Sequence, residues 1–197
     1  MIADCSALIL AGGDSRRMGS DKTQLVLGDA TLLERAVASV APLFARVLIS
    51  VRNYRPEITL PQVCDAYPDA GPLAGLCAGL AHANTPWVFA IAADMPFVQP
   101  ALIEALAGRR ADFDAVVPRV HGHLQPLAAF YSVRALDRLE AILAAGGSRS
   151  LRRALETLKV ATVNGSDLLA ADPTLRSFFD LDTPDDLAAA RQSENHK

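Results

Sequence analysis

The sequence contains no long hydrophobic segment and few cysteines. Its longest uninterrupted apolar run, residues 87–93, has seven residues, whereas a membrane-spanning helix needs about 20. The three cysteines, Cys5, Cys64 and Cys77, have no CxxC spacing. We therefore expect neither a disulfide framework nor a zinc knuckle, and predict that all three are small buried apolar residues. Residues 1–11 lack the pattern of a secretory signal. These absences predict a cytoplasmic protein with no membrane partner.

The chain also has little excess charge. Its 19 basic and 22 acidic residues give a net charge of -3. Since a nucleic-acid-binding domain is usually basic, we expect no nucleic-acid partner. No internal repeat and no Ser/Gly linker divides the 197 residues, of which 51% are hydrophobic and 21% charged. This composition predicts one domain with a sizeable core, residues 1–191, followed by a polar tail, residues 192–197.

Short apolar runs alternate with longer amphipathic stretches. The runs predict buried strands at residues 7–10, 47–51, 87–92, 115–117 and 127–131. Apolar residues at helical spacing predict helices over residues 33–40, 136–143 and 151–158, and a last helix is expected to begin at Thr183. Strands that alternate with helices indicate a three-layer α/β domain with a largely parallel sheet.

A glycine-rich segment directly follows the first predicted strand. Gly12 and Gly13 can form a turn whose backbone amides approach a ligand closely. Arg16, Arg17 and Lys22 add three cations nearby, which suits a triphosphate. The segment is neither GxxxxGK[ST] nor GxGxxG, so it supports neither a P-loop ATPase nor a dinucleotide-binding dehydrogenase. A glycine turn with solvated basic residues is the alternative.

Three carboxylates form the second candidate feature. Asp94 follows the most apolar run of the chain, at the end of a strand where α/β sheets bind ligands. Asp180 and Asp182 are expected on one face of an extended segment. Carboxylates of this kind suit Mg²⁺. The alternatives are a turn-forming role for Asp94 and capping of the last helix, near Thr183, for the other two.

At these residues the sequence resembles the molybdenum cofactor guanylyltransferases. Their LAGGxSxRMGxDK pattern is matched without a gap by residues 10–22. The family's GPLAG loop, D-x-P, substrate-side proline motif and C-terminal N-x-P signature correspond to residues 71–75, 94–96, 125–127 and 182–184, in consistent order. The resemblance implies the three-layer α/β/α Rossmann-like nucleotidyltransferase fold, called glycosyltransferase-A-like, with a mostly parallel twisted sheet.

The resemblance also implies roles for individual residues. Arg17, Lys22 and Asp94 would be catalytic, and Asp94 and Asp182 would hold Mg²⁺. Many members have Asn where this chain has Asp180 and Asp182, so an amide that could donate a hydrogen bond to a pterin is replaced by an anion. Ser50 aligns with the base-side position, and Asn53 is near enough to substitute for it. The implied ligand-binding set is Leu10, Ala11, Gly12, Gly13, Lys22, Ser50, Asn53, Asp65, Gly71, Gly75, Asp94, Asp180 and Asp182.

The implied reaction transfers GMP from GTP to the terminal phosphate of molybdopterin and releases pyrophosphate. Transient contact with molybdopterin-inserting enzymes, cofactor chaperones and molybdoenzymes is expected. A cytidylyltransferase, another nucleotidyltransferase of the same fold, and a non-catalytic carrier of molybdopterin or nucleotide stay open as alternatives. Arg149, Arg152 and Arg153 form a cluster that is either a solvated face or, as the resemblance implies, a contact for the molybdopterin phosphate.

Overall fold

The chain contains the strands and helices that the apolar pattern predicts, together with short additional strands. The computed structural model describes residues 1–12, 22–65, 67, 70–146 and 150–194. The strands are β1 (Cys5–Leu10), β2 (Val26–Leu27), β3 (Ala30–Thr31), β4 (Val47–Val51), β5 (Gln62–Cys64), β6 (Trp87–Ala92), β7 (Ala115–Val120), β8 (His123–Leu124), β9 (Ala128–Ser132) and β10 (Val160–Asn164). The helices are α1 (Leu32–Val40), α2 (Gly71–His82), α3 (Pro100–Ala107), α4 (Leu136–Ala144), α5 (Leu151–Leu155) and α6 (Pro184–Glu194), and short 3-10 turns cover Lys22–Gln24, Val133–Ala135, Gly165–Leu168 and Arg176–Phe178.

One mixed sheet forms the centre of the domain. Within the described residues it has eight strands in the order β10-β7-β9-β6-β1-β4-β5, with β8 paired to β7. The pairs β1–β4, β1–β6, β4–β5 and β7–β10 are parallel, whereas β9 is antiparallel to both β6 and β7. The start of β9 therefore lies at the same edge as the carboxyl ends of β6 and β7.

Side chains that alternate along the strands build a core on each face of the sheet. Ala7 and Ile9 of β1 face α1 and α3, and Leu8 between them faces α2, α4 and α5. A smaller third cluster joins the β2–β3 hairpin to α6 through Leu27 and Leu187. The predicted three-layer α/β/α architecture is confirmed.

Two glycines let α2 pack closely on the sheet. A Cβ atom at Gly75 would lie 2.5 Å from Ser50 Oγ and 2.6 Å from a methyl carbon of Leu10. One turn later, a Cβ atom at Gly79 would lie 2.2 Å from a methyl carbon of Leu8. The backbone of α2 therefore rests directly on β1 and β4, at a distance that only glycine permits.

Four local predictions differ from the structure. The helix expected over residues 151–158 ends at Leu155, because the amides of Thr157 and Leu158 donate to carbonyls three residues back rather than four. Residues 71–75, expected as a loop, form the first turns of α2, because Pro72 suits the start of a helix and the following residues are apolar. Cys64 is exposed on the edge strand β5, whereas Cys5 and Cys77 are buried as predicted. Helix α6 continues to Glu194 and so includes the first residues of the predicted tail. No helix in the described residues is long and apolar enough to span a membrane.

Candidate functional site

The candidate site lies where three neighbouring strands end. Leu10, the last residue of β1, is in register with Ser50 of β4 and with Ala92 of β6. The Ala11 amide donates a hydrogen bond of 2.8 Å to the Ser50 carbonyl, and the Ala93 amide donates one of 3.1 Å to the Leu10 carbonyl. The segments that follow β1 and β6 therefore begin side by side, at the carboxyl ends of the strands, where α/β domains bind ligands.

Lys22 connects two of the predicted carboxylates. Its Nζ donates to Asp182 Oδ1 at 2.6 Å and to Asp94 Oδ2 at 3.2 Å. The Lys22 side chain is 18% exposed, against 24% for Asp94 and 53% for Asp182. Burial disfavours the charged ammonium, but the hydrogen bonds and charges of the two carboxylates outweigh it and raise the pKa of Lys22. The structure thus brings together three residues that the sequence separates by up to 160 positions.

The carboxylates themselves are held at an energetic cost. Burial raises the pKa of Asp94, and the ammonium of Lys22 opposes this rise only in part. Burial of the carboxyl group also raises the pKa of Asp180 to about 6, with further contributions from the negative charges of Asp94 and Asp182. Negative charge therefore accumulates in this cleft beyond what Lys22 offsets, as expected for a site that binds a cation or a cationic complex.

The segment that carries Asp180 and Asp182 is fixed by its backbone. Leu181 is fully buried, and its amide donates a 3.0 Å hydrogen bond to the carbonyl of Asp94. Asp180 and Asp182, on either side, are exposed as whole residues, although the carboxyl group of Asp180 is partly enclosed where it lines the cavity. The prediction that the two carboxylates share one face of an extended segment is confirmed, because Leu181 between them turns the opposite way into the core.

Capping of the last helix does not compete with this arrangement. Thr183 Oγ1 accepts a hydrogen bond from the Asp186 amide at 3.2 Å, and Asp186 Oδ2 accepts one from the Thr183 amide at 2.8 Å. The Thr183 hydroxyl, which donates to Asp186 Oδ2 at 2.7 Å, and the Thr183 amide hold the pKa of Asp186 below its ordinary value. Thr183 and Asp186 cap α6, as the sequence predicts, and the Asp182 side chain is left to bind Lys22.

Asp172 anchors the same segment and was not predicted. It is 3% exposed, and its carboxylate accepts hydrogen bonds from the amides of Arg176 at 3.2 Å and Ser177 at 2.7 Å. Ser177 Oγ in turn accepts a 3.0 Å hydrogen bond from the Gln99 amide at the start of α3. The only sequence signal for this network is an Asp before Pro173, which is typical of a turn that the Asp side chain caps.

A cavity of about 260 Å³ opens beside Lys22. Its lining includes the carboxylates Asp94, Asp180 and Asp182 and one cation, Arg152 of α5. Gln125 and the apolar residues Ala92, Met95, Leu124, Pro126 and Leu127 complete the lining. The cavity thus offers an apolar wall together with groups of both charges. The sequence leaves open whether Arg152 belongs to a solvated face or contacts a phosphate, and its place in the lining favours a contact.

The other predicted nucleotide residues lie on the opposite side of β1. Ser50 is 2% exposed, with its hydroxyl against α2. Asn53 is exposed and Asp65 is half-buried, in the segments that follow β4 and β5. Gly71 begins α2 with a positive φ of 60° and open space around its Cα. Gly71 therefore lies at the amino end of α2, where backbone amides and the helix dipole favour anions, and Ser50 lies against the same helix at Gly75.

Four predicted or considered residues lie outside the described residues: Gly13, Arg16, Arg17 and Arg149. Their roles stay predictions. Leu10, Ala11 and Gly12 are described and half-buried. A Cβ atom at Gly12 would lie 3.4 Å from the Arg52 amide nitrogen, so the turn after β1 passes close to the turn after β4.

A metal ion would find two carboxylates here rather than a closed protein cage. No cluster of three or more His, Cys, Asp or Glu side chains suited to a metal occurs in the part of the chain that the structure describes. Asp94 Oδ2 and Asp182 Oδ1 both lie near Lys22 Nζ. Mg²⁺ usually takes one or two carboxylates and completes its shell with water and substrate phosphates, so this donor set fits Mg²⁺ only in company with a phosphate ligand.

Comparison with known proteins agrees with this geometry. Residues 7–160 match the model of the MobA-like NTP transferase domain. A protein of Chloroflexus aggregans, named as a probable molybdenum cofactor guanylyltransferase, is 41% identical over 190 residues, covering 92% of this chain and 91% of that protein. The structure of molybdopterin-guanine dinucleotide biosynthesis protein A from Archaeoglobus fulgidus is similar with a TM-score of 0.87 at 30% identity, covering 98% of this chain and 100% of that one.

A third likeness concerns the fold alone. The 2-C-methyl-D-erythritol 4-phosphate cytidylyltransferase of Thermus thermophilus is similar with a TM-score of 0.71 at 22% identity, covering 96% of this chain and 98% of that one. The family model spans most of the chain, and the alignment with the Chloroflexus aggregans protein covers nearly all of it. The chain therefore belongs to the family of MobA-like NTP transferases, to which its glycine-rich segment and its Lys22–Asp94–Asp182 cluster had already pointed.

Proposed function

We propose that this protein is a molybdenum cofactor guanylyltransferase, which transfers GMP from GTP to the terminal phosphate of molybdopterin and releases pyrophosphate. One observation carries the proposal. Lys22, Asp94 and Asp182 converge near the carboxyl ends of β1 and β6, and the two carboxylates line a cavity that Arg152 also lines. These carboxylates lie between the strand ends proposed to bind the nucleotide and the cavity proposed to bind the acceptor. This position suits a reaction that joins two phosphates.

The nucleotide half of the site lies around β1, β4 and α2. The backbone of Leu10, Ala11 and Gly12, the amino end of α2 at Gly71, and the side chain of Lys22 would surround the phosphates. Family likeness adds Gly13 and Arg17 to this half. Ser50, Asn53 and Asp65 are candidates for binding the base and ribose. Gly75 would contribute indirectly, because its lack of a side chain lets α2 pack closely on β1 and β4. This division follows from the register of β1 with its two neighbours.

The reaction needs no protein nucleophile. The acceptor phosphate is already an anion, so the barrier comes from repulsion between two negative phosphates and from charge that develops at the α-phosphorus. Lys22 can follow a phosphate because its ammonium sits on a flexible four-carbon stem. Asp94 and Asp182 would hold Mg²⁺, which when bound neutralises phosphate charge and orients the triphosphate.

The acceptor half of the site is the cavity. Arg152 would bind the terminal phosphate of molybdopterin, since a guanidinium matches phosphate oxygens in pairs. The apolar wall of Leu124, Pro126 and Leu127 would contact the flat pterin, and Gln125 and Asp180 would bind its polar edge. A carboxylate at Asp180 can only accept hydrogen bonds from a pterin unless it is protonated, in contrast to the Asn of many relatives.

Replacing Lys22 tests the assignment. Lys22→Ala should lower the rate of pyrophosphate release by roughly 100-fold to 1,000-fold, by analogy with removal of one preorganised donor. The matched control is Lys159→Ala, because Lys159 lies just before β10, at the opposite edge of the sheet, over the ring of Phe113. Near wild-type turnover of Lys22→Ala at saturating GTP and Mg²⁺ would refute the role of Lys22 on the phosphates.

Two alternatives are separated by simple measurements. A ligand at about 100 times its dissociation constant adds roughly 2.7 kcal/mol to the free energy of unfolding. Thermal shifts with GTP, CTP, ATP and UTP in the presence of Mg²⁺ therefore report base preference, and greater stabilisation by CTP would favour a cytidylyltransferase. A carrier would form a stoichiometric complex with GTP and molybdopterin without releasing pyrophosphate. The proposal also includes a cytoplasmic location and transient contact with the proteins that supply molybdopterin or receive the finished cofactor.

A further inference from the structure

Lys22 occupies the position that a bound divalent metal would need. Its ammonium is within 3.2 Å of Asp94 Oδ2 and 2.6 Å of Asp182 Oδ1. A metal ion ligated by the same two oxygens would approach each of them to about 2.1 Å. The ammonium and the metal would then be in contact, and like charges at that distance repel strongly in a partly buried site. Metal binding to both carboxylates therefore requires the ammonium to leave.

The structure lets the ammonium leave without moving the backbone. Lys22 opens the 3-10 turn Lys22–Gln24, and its carbonyl accepts a 3.1 Å hydrogen bond from the Leu25 amide. Thr23 is 4% exposed, and its hydroxyl accepts a 2.8 Å hydrogen bond from Arg55 Nη1. The turn is thus anchored to the segment after β4. Rotation of the Lys22 stem is enough to carry its charge several ångströms, while the residue stays in place.

The charge balance keeps the ammonium between the carboxylates until another anion is offered. Asp94, Asp180 and Asp182 line the cleft together with Arg152, and Lys22 donates directly to two of these three carboxylates. Removal of Lys22 from the pair would leave Asp94, which is 24% exposed, without this neutralising contact. A nucleoside triphosphate changes this balance, because its phosphates can receive the ammonium and can supply the remaining metal ligands.

We propose that Lys22 is an internal counter-ion that blocks the metal site, so that a divalent metal enters only together with a nucleoside triphosphate. The proposal rests on the proposed function in one respect, since it takes Asp94 and Asp182 as the metal ligands. It adds an order of events: the protein without nucleotide holds lysine where the protein with nucleotide holds metal.

Mn²⁺ binding without nucleotide tests the proposal directly. The full chain is titrated with Mn²⁺, and free Mn²⁺ is measured by its electron paramagnetic resonance signal. Lys22→Met, which keeps the length of the side chain but removes its charge, should bind one Mn²⁺ at least about tenfold more tightly than the wild type, or about 1.4 kcal/mol. The matched control Lys159→Met should bind as the wild type does. Adding Asp94→Asn to Lys22→Met should abolish the gain.

Each outcome decides the question. Equal Mn²⁺ affinity of the wild type and Lys22→Met overturns the proposal, as does tight Mn²⁺ binding by the wild type alone. Lys22→Gln provides the same comparison if Lys22→Met does not fold, and Lys22→Arg, which retains the charge, should resemble the wild type. Failure of the proposed function would appear elsewhere, as absence of pyrophosphate from GTP, Mg²⁺ and molybdopterin, whatever the Mn²⁺ titration shows.

Discussion

Replacing Gly79 by alanine should destabilise the protein, although alanine is the better helix former. A Cβ atom at Gly79 would lie 2.2, 2.7 and 2.9 Å from three side-chain carbons of Leu8, which is fully buried. Overpacking of this kind typically costs about 1–3 kcal/mol. Alanine in a helix interior recovers about 1 kcal/mol relative to glycine. The expected net loss is about 1 kcal/mol, or a decrease in Tm of about 2–4 °C for a domain of this size.

The same substitution should have the opposite sign when Leu8 is also shortened. Leu8→Ala alone should cost about 2–5 kcal/mol because it leaves a cavity. In that background the methyl group of Gly79→Ala enters the vacated space and keeps its helical advantage, so it should stabilise the protein. Thermal or urea unfolding of the two single variants and the double variant measures this coupling. A destabilisation by Gly79→Ala of equal size in both backgrounds would refute the close-packing argument.

Gly108→Ala is the matched control. A Cβ atom there would meet only the Ala105 carbonyl oxygen, at 3.9 Å, and the φ of -67° suits any residue. This variant should be neutral or more stable by up to about 1 kcal/mol. If it were as destabilised as Gly79→Ala, the loss could not be assigned to Leu8.

Two further predictions concern thiols and pH. Cys64 should react quickly with Ellman's reagent in the folded protein, whereas burial raises the pKa of Cys5 and Cys77 to about 12 and should protect both until unfolding; three fast thiols would contradict this. In metal-free buffer, Asp180→Asn should raise Tm at pH 8, because the carboxylate has a folded-state pKa of about 6 against an ordinary 3.8 and is therefore ionised at a cost. Solvent screening limits the gain to about 1 kcal/mol. The gain should shrink as the pH falls from about 6 to 4, and an increase that is independent of pH would show that charge is not its cause.

The local chemistry of the strands made much of the fold predictable. The predicted strands at residues 47–51 and 87–92 coincide with β4 and β6. A short continuous apolar run between helix- and strand-breaking residues is typical of a buried strand in a parallel sheet. The cap of α6 at Thr183 was predictable because hydroxyl and carboxylate stand three residues apart. In contrast, the antiparallel direction of β9 depends on the path of the chain between β7 and β9. The apolar pattern of β9 is the same for either direction, so it does not predict this.

The contacts within the candidate site were predictable only in part. The sequence suggests that Asp94, at the end of a strand, and Asp182, before a helix cap, could lie together, and the structure places both beside Lys22. That Lys22 binds both of them depends on a tertiary arrangement across the whole chain. Arg152 could not be separated from its neighbouring arginines, because only the position of α5 relative to the cavity decides which one faces inward.

The reversal of the chain at β9 has a consequence for how such enzymes can diversify. The candidates for the base and ribose, Ser50, Asn53 and Asp65, come from β4, β5 and the segments after them, in the first half of the chain, whereas the apolar wall and the arginine of the cavity come from residues 124–127 and from α5; Asp94 and Asp182 are shared between the two halves. An insertion or exchange between β7 and α5 could therefore admit a different acceptor without disturbing the donor half. A chimera that exchanges residues 115–155 with those of another nucleotidyltransferase would test whether the acceptor changes while nucleotide binding is retained.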